Sequence, residues 1–292
     1  MSFFTPHGIW NDAAPDPRPA WQCFGVLRRD AIDCVGPVAD LVEQIALLDP
    51  DVLSGYGASV ARVAAGVGTA EGERIRPRFV MTGGESLSAA MRQTIEEAFE
   101  VPAYDLYGST EANLLAWQCA ETGLYHVCDD NVVVELLCDG EPVGEGEEGE
   151  VFVTLLHSRA MPFLRYRLGD LAVRGPERCP CGAPWSTIDA IRGRTLEEVV
   201  LPDGTFLHHW WAVEPMIEQG PWILSYRLVQ STPGEITFEV VARDEPSSEE
   251  IEAVRSCGRA TFGDDVDFRL VLVDELPPGP AGKHLRHQGL TP

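Results

Sequence analysis

Arg78-Phe79-Val80-Met81-Thr82-Gly83-Gly84-Glu85 and the residues behind it decide the fold. The run from Arg78 to Thr82 reads as a buried strand that delivers the chain into two glycines. Leu87 to Phe99 then carries apolar residues at helical spacing, an amphipathic helix. Ala103 to Tyr107 is a second short strand. Strand, loop, helix and strand in that order predict an α/β fold with a mostly parallel sheet, its site loops at the strand ends.

Upstream, residues 1–36 are rich in Pro, Trp and charge and show little periodicity. A helix is expected at about 37–49, ended by Pro50, and another at about 56–65. Downstream of Asn131 the texture changes. Val132 to Leu137 and Glu150 to Leu156 read as strands joined by the acidic turn Gly140 to Gly149, a solvated hairpin rather than a metal site. This predicts a small β-layer attached to the α/β part. After Arg194 a third texture begins, with a helix at about 210–219 and strands at 223–230 and 235–242. A helix at 248–261 and a strand at 266–274 follow, with Ser231-Thr232-Pro233-Gly234 as the hairpin turn. The expected division is a domain of residues 1–194 followed by a small α+β domain of residues 195–292.

The chain has 292 residues, 45% of them hydrophobic and 23% charged, the profile of a globular protein. No apolar run approaches the roughly 18–20 residues of a membrane span. The N-terminus lacks the basic and apolar regions of a signal peptide, so a cytoplasmic location is expected. A net charge of −24 argues against nucleic acid or an anionic membrane as partner, because a phosphate backbone needs a basic surface. Of the 22 basic residues 21 are Arg and one, Lys283, is Lys. GC-rich codon usage accounts for the arginines but not for the surviving lysine. A compact flexible ammonium does what a planar guanidinium cannot, so Lys283 hints at a role.

Several short motifs offer chemistry. Tyr107-Gly108-Ser109-Thr110-Glu111-Ala112 ends a strand in a tight turn. Tyr107 can stack on a ring, Thr110 can meet a phosphate, and Glu111 can hold Mg²⁺, which prefers oxygen ligands. Tyr166-Arg167-Leu168-Gly169-Asp170 places a carboxylate after glycine on an expected turn, suited to a ribose diol. Ile191-Arg192-Gly193-Arg194 is a basic turn at the domain junction, and Gly282-Lys283 follows a Pro-rich stretch near the C-terminus. Eight cysteines in a cytoplasmic setting are not expected to form disulfides. In Cys179-Pro180-Cys181-Gly182, two sulfurs one residue apart in a turn can bind one metal. His208-His209-Trp210-Trp211 is read as a packed start to a helix, since adjacent side chains diverge too far to share a ligand.

The order of these motifs, with Thr82-Gly83-Gly84-Glu85 first, resembles that of the adenylate-forming (acyl-CoA synthetase-like) superfamily. The stretch Ala160-Met161-Pro162-Phe163-Leu164-Arg165-Tyr166, then Cys179-Pro180-Cys181-Gly182 and Gly193-Arg194, is most similar to its phenylacetate-CoA ligase and capsule-biosynthesis group. The resemblance covers nearly the whole chain after about residue 37. It implies part of the large adenylate-binding domain, a mostly parallel sheet plus β-layer, followed by a small α+β lid. It also implies residue roles. Gly83, Gly84 and Tyr107 would enclose adenine, with Glu85, Gly108 and Ser109 in the same nucleotide-binding loops. Thr110 would touch the α-phosphate, Glu111 would bind Mg²⁺, and Asp170 would take the ribose hydroxyls. Arg194 would reach the nucleotide near the hinge. Lys283 would bridge the substrate carboxylate and α-phosphate. Cys119, His126, Cys179 and Cys181 also have a counterpart in this group; three thiolates and one imidazole would make a closed, structural zinc site. Cys128 is the alternative to Cys119.

The sequence departs from that group in three places. No Ser/Thr/Gly-rich phosphate loop occurs in residues 1–81, so the front of the large domain is expected to be missing. Leu168 stands where the group usually has Thr. Thr195-Leu196-Glu197-Glu198 replaces the acidic hinge pair, with Glu197 as a substitute. The resemblance implies ATP-dependent activation of a carboxylic acid and transfer to a thiol such as coenzyme A, helped by a homodimer partner or a separate N-terminal subunit. The alternatives are a catalytically reduced nucleotide-binding partner and a shortened form of a full ligase.

Overall fold

The computed structural model describes residues 2–5, 30–34, 37–67, 75–194, 198–277 and 286–290. Five strands pair in parallel at one end of a 12-stranded sheet: β1 (Ser2–Thr5), β2 (Asp30–Asp33), β3 (Val52–Gly55), β4 (Phe79–Gly83) and β5 (Ala103–Ser109), in the order β2-β1-β3-β4-β5. Three helices connect them, α1 (Val38–Leu48), α2 (Gly57–Val67) and α3 (Ala89–Phe99). Each expected element up to Tyr107 is present, with no end moved by more than two residues. The ends have local causes. Asp49 takes a left-handed conformation that stops α1 before Pro50. At α3 the Ser88 hydroxyl accepts the Met91 N–H at 3.1 Å and Glu100 closes the helix in the left-handed region.

Leu41, Val42 and Ile45 of α1, Val60, Val63 and Ala64 of α2, and Met91, Ile95 and Phe99 of α3 face Leu53 and Val80 in one core. Burying each large aliphatic side chain contributes about 1.5–3 kcal/mol relative to exposure, which is what holds the helices on the sheet.

Beyond β5 the sheet turns antiparallel through β6 (Asn113–Gln118), β7 (Tyr125–Val127), β8 (Val132–Cys138), β9 (Glu141–Pro142), β10 (Glu148–Leu155), β11 (Tyr166–Arg174) and β12 (Thr187–Arg194), in the order β6-β7-β12-β11-β10-β8-β9. The expected β-layer is thus the continuation of the α/β sheet. Two expectations are corrected. Tyr166 to Asp170 opens a nine-residue strand, and Ile191 to Arg194 ends another. Glycines suggested turns at both places, but Gly169 (φ 80°) and Gly193 (φ 107°) sit within strands, where the β11–β10 and β11–β12 registers shift.

The rest of the described chain forms a hairpin and a second sheet. Strands β13 (Glu198–Val200) and β14 (Phe206–His208) pair with each other and lead into α4 (His209–Gln219). Strands β15 (Ile223–Thr232), β16 (Glu235–Ala242), β17 (Asp267–Leu272) and β18 (His287–Gln288) pair in the order β17-β16-β15-β18, and α5 (Ser248–Phe262) crosses between β16 and β17. The reciprocal Ser247–Glu250 capping box starts α5. Met216, Phe238, Val240, Val254 and Phe268 lie in the core of this unit. It meets the large sheet through an Arg192–Glu214 ion pair at 2.8 Å. Arg286 adds a donation to the Ser86 carbonyl. No helix among the described residues is long and apolar enough to cross a membrane.

Candidate nucleotide site and metal centre

The loops that leave the carboxyl ends of β4 and β5 hold the first group of expected site residues. Tyr107 is buried, and its phenol donates to Asp170 Oδ2 at 2.7 Å. Three strands lie between β5 and β11 in the sheet order. In a flat sheet that separation is roughly 19 Å at about 4.8 Å per strand, beyond the reach of the two side chains. The sheet therefore curls until β11 faces β5, and the curl brings a ring and a carboxylate 63 residues apart together. Arg194, beside Asp170 in the β11–β12 register, stands with Nε 3.6 Å from Asp170 Oδ1. Burial, then the neighbouring Asp170 carboxylate, pushes the Tyr107 phenol well above its ordinary range, so it stays a proton donor.

Gly108 lets the chain turn back tightly. A Cβ there would lie 2.4 Å from the Asn113 carbonyl oxygen. The Ser109 hydroxyl accepts the Ala112 N–H at 3.1 Å and closes the turn, leaving Thr110 and Glu111 exposed at its tip. Gly83 backs onto Leu106, and Gly84 takes φ 78°. Glu85 lies differently from its neighbours: its carboxylate accepts the Ala58 N–H at 2.6 Å and caps the start of α2. Lys283 and Glu197 fall outside the described residues.

A buried polar cluster behind these loops was missed from sequence. Asp105, 5% exposed, accepts the Thr82 hydroxyl at 2.8 Å and the Tyr125 phenol at 2.7 Å. Burial pushes its carboxyl above the ordinary range, against the Tyr125 and Thr82 hydrogen bonds and the Arg92 charge, which favour the anion. The signal was available: Ala103, Asp105 and Tyr107 alternate on the buried face of β5, which puts a carboxylate where an apolar residue is normal.

Cys119, His126, Cys179 and Cys181 offer four ligand atoms, all within 4.8 Å of one another. Cys119 follows β6, His126 lies in β7, and the other two lie in the β11–β12 connection, so neighbouring strands bring the ligands together. Cys119 Sγ and Cys179 Sγ are 3.8 Å apart, and Cys181 Sγ is 3.5 Å from His126 Nε2. Zinc–sulfur bonds of about 2.3 Å and zinc–nitrogen bonds of about 2.0–2.1 Å in a tetrahedron require edges of about 3.8 and 3.5 Å. The donor set and its spacing therefore fit zinc. Cys128 is buried but lies outside this group of four. Burial opposes ionisation of Cys119. The Thr122 hydroxyl and the N–H groups of Glu121 and Thr122 outweigh it and lower the thiol to about 7. Trp117 packs edge-on against His126 and Trp185 and walls the centre on one side.

The fold is that of the adenylate-forming CoA ligases. The structure superposes over 98% of its length on 2-hydroxyisobutyryl-CoA ligase in complex with 2-HIB-AMP, with a TM-score of 0.69 at 16% identity and 64% of that chain covered. An anthranilate CoA ligase in complex with anthranoyl-AMP matches with a TM-score of 0.59 at 16% identity, over 85% of this chain and 50% of that one. In sequence the chain is similar to phenylacetate-coenzyme A ligases. It is 30% identical to the Thermus thermophilus enzyme over 134 residues, 44% of this chain and 30% of that protein. It is 36% identical to the Escherichia coli K12 enzyme over 99 residues, 32% of this chain and 23% of that protein. The match thus spans under a third of either ligase. No family model matches the chain.

Proposed function

We propose that this chain activates a carboxylic acid with ATP as an acyl-adenylate and passes the acyl group to a thiol such as coenzyme A. The observation that carries this reading is the Tyr107–Asp170–Arg194 group beside the Thr110–Glu111 turn, in the fold of ligases solved with acyl-AMP. An aromatic ring beside a carboxylate suits an adenosine: the ring packs on adenine while Asp170 accepts from the ribose hydroxyls. Tyr107 fixes the carboxylate in place, and Arg194 balances its charge.

In the first half-reaction a substrate carboxylate oxygen attacks the α-phosphorus, a phosphorus–oxygen bond breaks and pyrophosphate leaves. Both reactants are anions, so the barrier is charge repulsion and alignment. Thr110 donates to the α-phosphate, and Lys283 bridges it and the carboxylate. Glu111 would hold Mg²⁺, which supplies further neutralisation of the phosphates. In the second half-reaction a thiolate attacks the acyl carbonyl and AMP departs. Residues 195–292 form the lid that carries Lys283, and residues 1–194 form the adenylate-binding domain. Cys119, His126, Cys179 and Cys181 would hold zinc, a structural clamp with no open coordination position. Reduced thiols of this kind suit the cytoplasm.

A specific observation favours a second reading. Residues 1–81 carry no hydroxyl-rich loop for the β- and γ-phosphates. Activation then requires that grip from a preceding segment of a full ligase, a separate N-terminal subunit or a second copy; otherwise the chain acts as a nucleotide- or adenylate-binding partner. Pyrophosphate exchange with a panel of aryl and acyl acids separates the two. Exchange that is lost in Lys283→Ala supports the ligase. AMP binding without exchange, for the chain alone and with any co-purifying subunit, overturns it in favour of the binding partner.

A further inference from the structure

Two residues adjacent to metal-centre ligands converge on one buried residue, Asp105, one on its side chain and one on its backbone. Tyr125 precedes His126 on the three-residue strand β7, and its phenol donates to Asp105 Oδ2 at 2.7 Å. Gln118 precedes Cys119, and its Oε1 accepts the Asp105 N–H at 3.2 Å and Arg92 Nη2 at 2.6 Å. The other Asp105 oxygen accepts Thr82 at 2.8 Å, and Thr82 is the residue before Gly83. Asp105 itself stands two residues before Tyr107 on the same face of β5. The Asp105 carboxylate thus ties the strand that carries His126 to the Gly83–Gly84 loop, and the Asp105 N–H, through Gln118, ties the same point of β5 to the end of the strand that precedes Cys119.

The physical chemistry makes this tie stiff. A carboxylate 5% exposed cannot exchange its donors for water without a large penalty, so it must follow Tyr125 and Thr82. Strand β7 has only three residues and is held between β6 and β12, so ligation of His126 strongly decides where Tyr125 stands.

We propose that Asp105 is a positioning residue through which occupation of the Cys119–His126–Cys179–Cys181 centre by zinc sets the geometry of the Gly83–Gly84 and Tyr107 loops. This coupling rests on the metal and nucleotide readings above. It adds to them that the two sites communicate, by a named route.

Hydrogen–deuterium exchange of the full chain, zinc-loaded and chelator-stripped, reads the coupling without any activity. Stripping is expected to raise exchange over residues 82–87 by about fivefold or more in the wild type, the scale of ordinary coupling between sites. In Tyr125→Phe and in Asp105→Asn, with zinc content unchanged, exchange over 82–87 is expected to be the same with and without metal. An equal response in wild type and both variants, or none in wild type, overturns the proposal. So does a chain that binds no zinc. If stripping unfolds the chain, cobalt replaces zinc: AMP then shifts the thiolate–cobalt absorption in the wild type and not in Tyr125→Phe, and no shift despite AMP binding overturns the coupling. Calorimetric titration with AMP keeps the readings apart. Metal-dependent exchange in a chain that does not bind AMP supports the coupling while the nucleotide reading fails.

Discussion

The phenol of Tyr107 donates to the carboxylate of Asp170 across 63 residues of sequence and over three intervening strands. That bond closes the curl of the sheet and joins the two motifs that would grip a nucleoside. Tyr107→Phe removes one hydrogen bond to a charged group, so unfolding in denaturant should show a loss of about 1–3 kcal/mol. Asp170→Ala removes the partner of both Tyr107 and Arg194. AMP titration calorimetry should show binding weakened in the first variant and abolished in the second. Equal affinity in wild type and Asp170→Ala would remove this carboxylate from the nucleotide site.

Elemental analysis of protein purified without chelator should find one zinc per chain. Cys119→Ser should lose it and Cys128→Ser should keep it, because only Cys119 lies with His126, Cys179 and Cys181. The Cys119 variant should also melt at a markedly lower temperature, since metal binding energy contributes directly to folding. Zinc retained in Cys119→Ser counts against the ligand set.

His209 gives the small unit a pH dependence. It stacks on Tyr226 and lies 5.0 Å, ring centroid to centroid, from His287. Burial, then the charges of His287, Arg286 and His208, lowers it from 6.5 to about 3. A group depressed in the folded state stabilises fully above its unfolded value, and that stability is lost as pH falls. The loss should begin near pH 6.5 and reach about 2 kcal/mol by pH 5. Urea unfolding at several pH values checks it: His209→Phe should flatten the profile between pH 5 and 7, and an unchanged profile would assign the effect elsewhere.

Gly108→Ala tests the turn. The new methyl carbon would meet the Asn113 carbonyl oxygen at 2.4 Å, and both are backbone-anchored, so the loop must move. A destabilisation of about 1–3 kcal/mol is expected. AMP affinity should fall with it, while zinc content stays at one per chain. A variant with wild-type stability and AMP affinity would mean that the turn tolerates a side chain.

Much of the architecture is legible in the amino-acid pattern. Helical spacing located α1, α2, α3, α4 and α5 within about two residues, because apolar periodicity is set by burial of one face. Strands with an apolar run, such as β4 and β16, were equally plain. Strand β11 was not. Its nine residues include Arg167, Gly169, Asp170 and Arg174, and only Ala172 and Val173 are buried, so no two-residue alternation announces it. Strand β6 buries only the adjacent Leu115 and Ala116 and hides for the same reason.

The order of amino acids specifies the identities and succession of the chemical groups: a glycine pair after a strand, a hydroxyl and carboxylate turn, an aspartate after glycine, and three cysteines and a histidine. It also determined the class of fold, since local periodicity and motif order do not depend on distant contacts. Tertiary structure alone decided which groups meet. The curl of the sheet put Tyr107 on Asp170, and strand neighbours put Cys119 rather than Cys128 with His126. Packing turned Glu85 to the start of α2 and buried Asp105 between Thr82 and Tyr125. Those outcomes follow from pairing across many intervening residues, where spacing along the chain carries no information about distance in space.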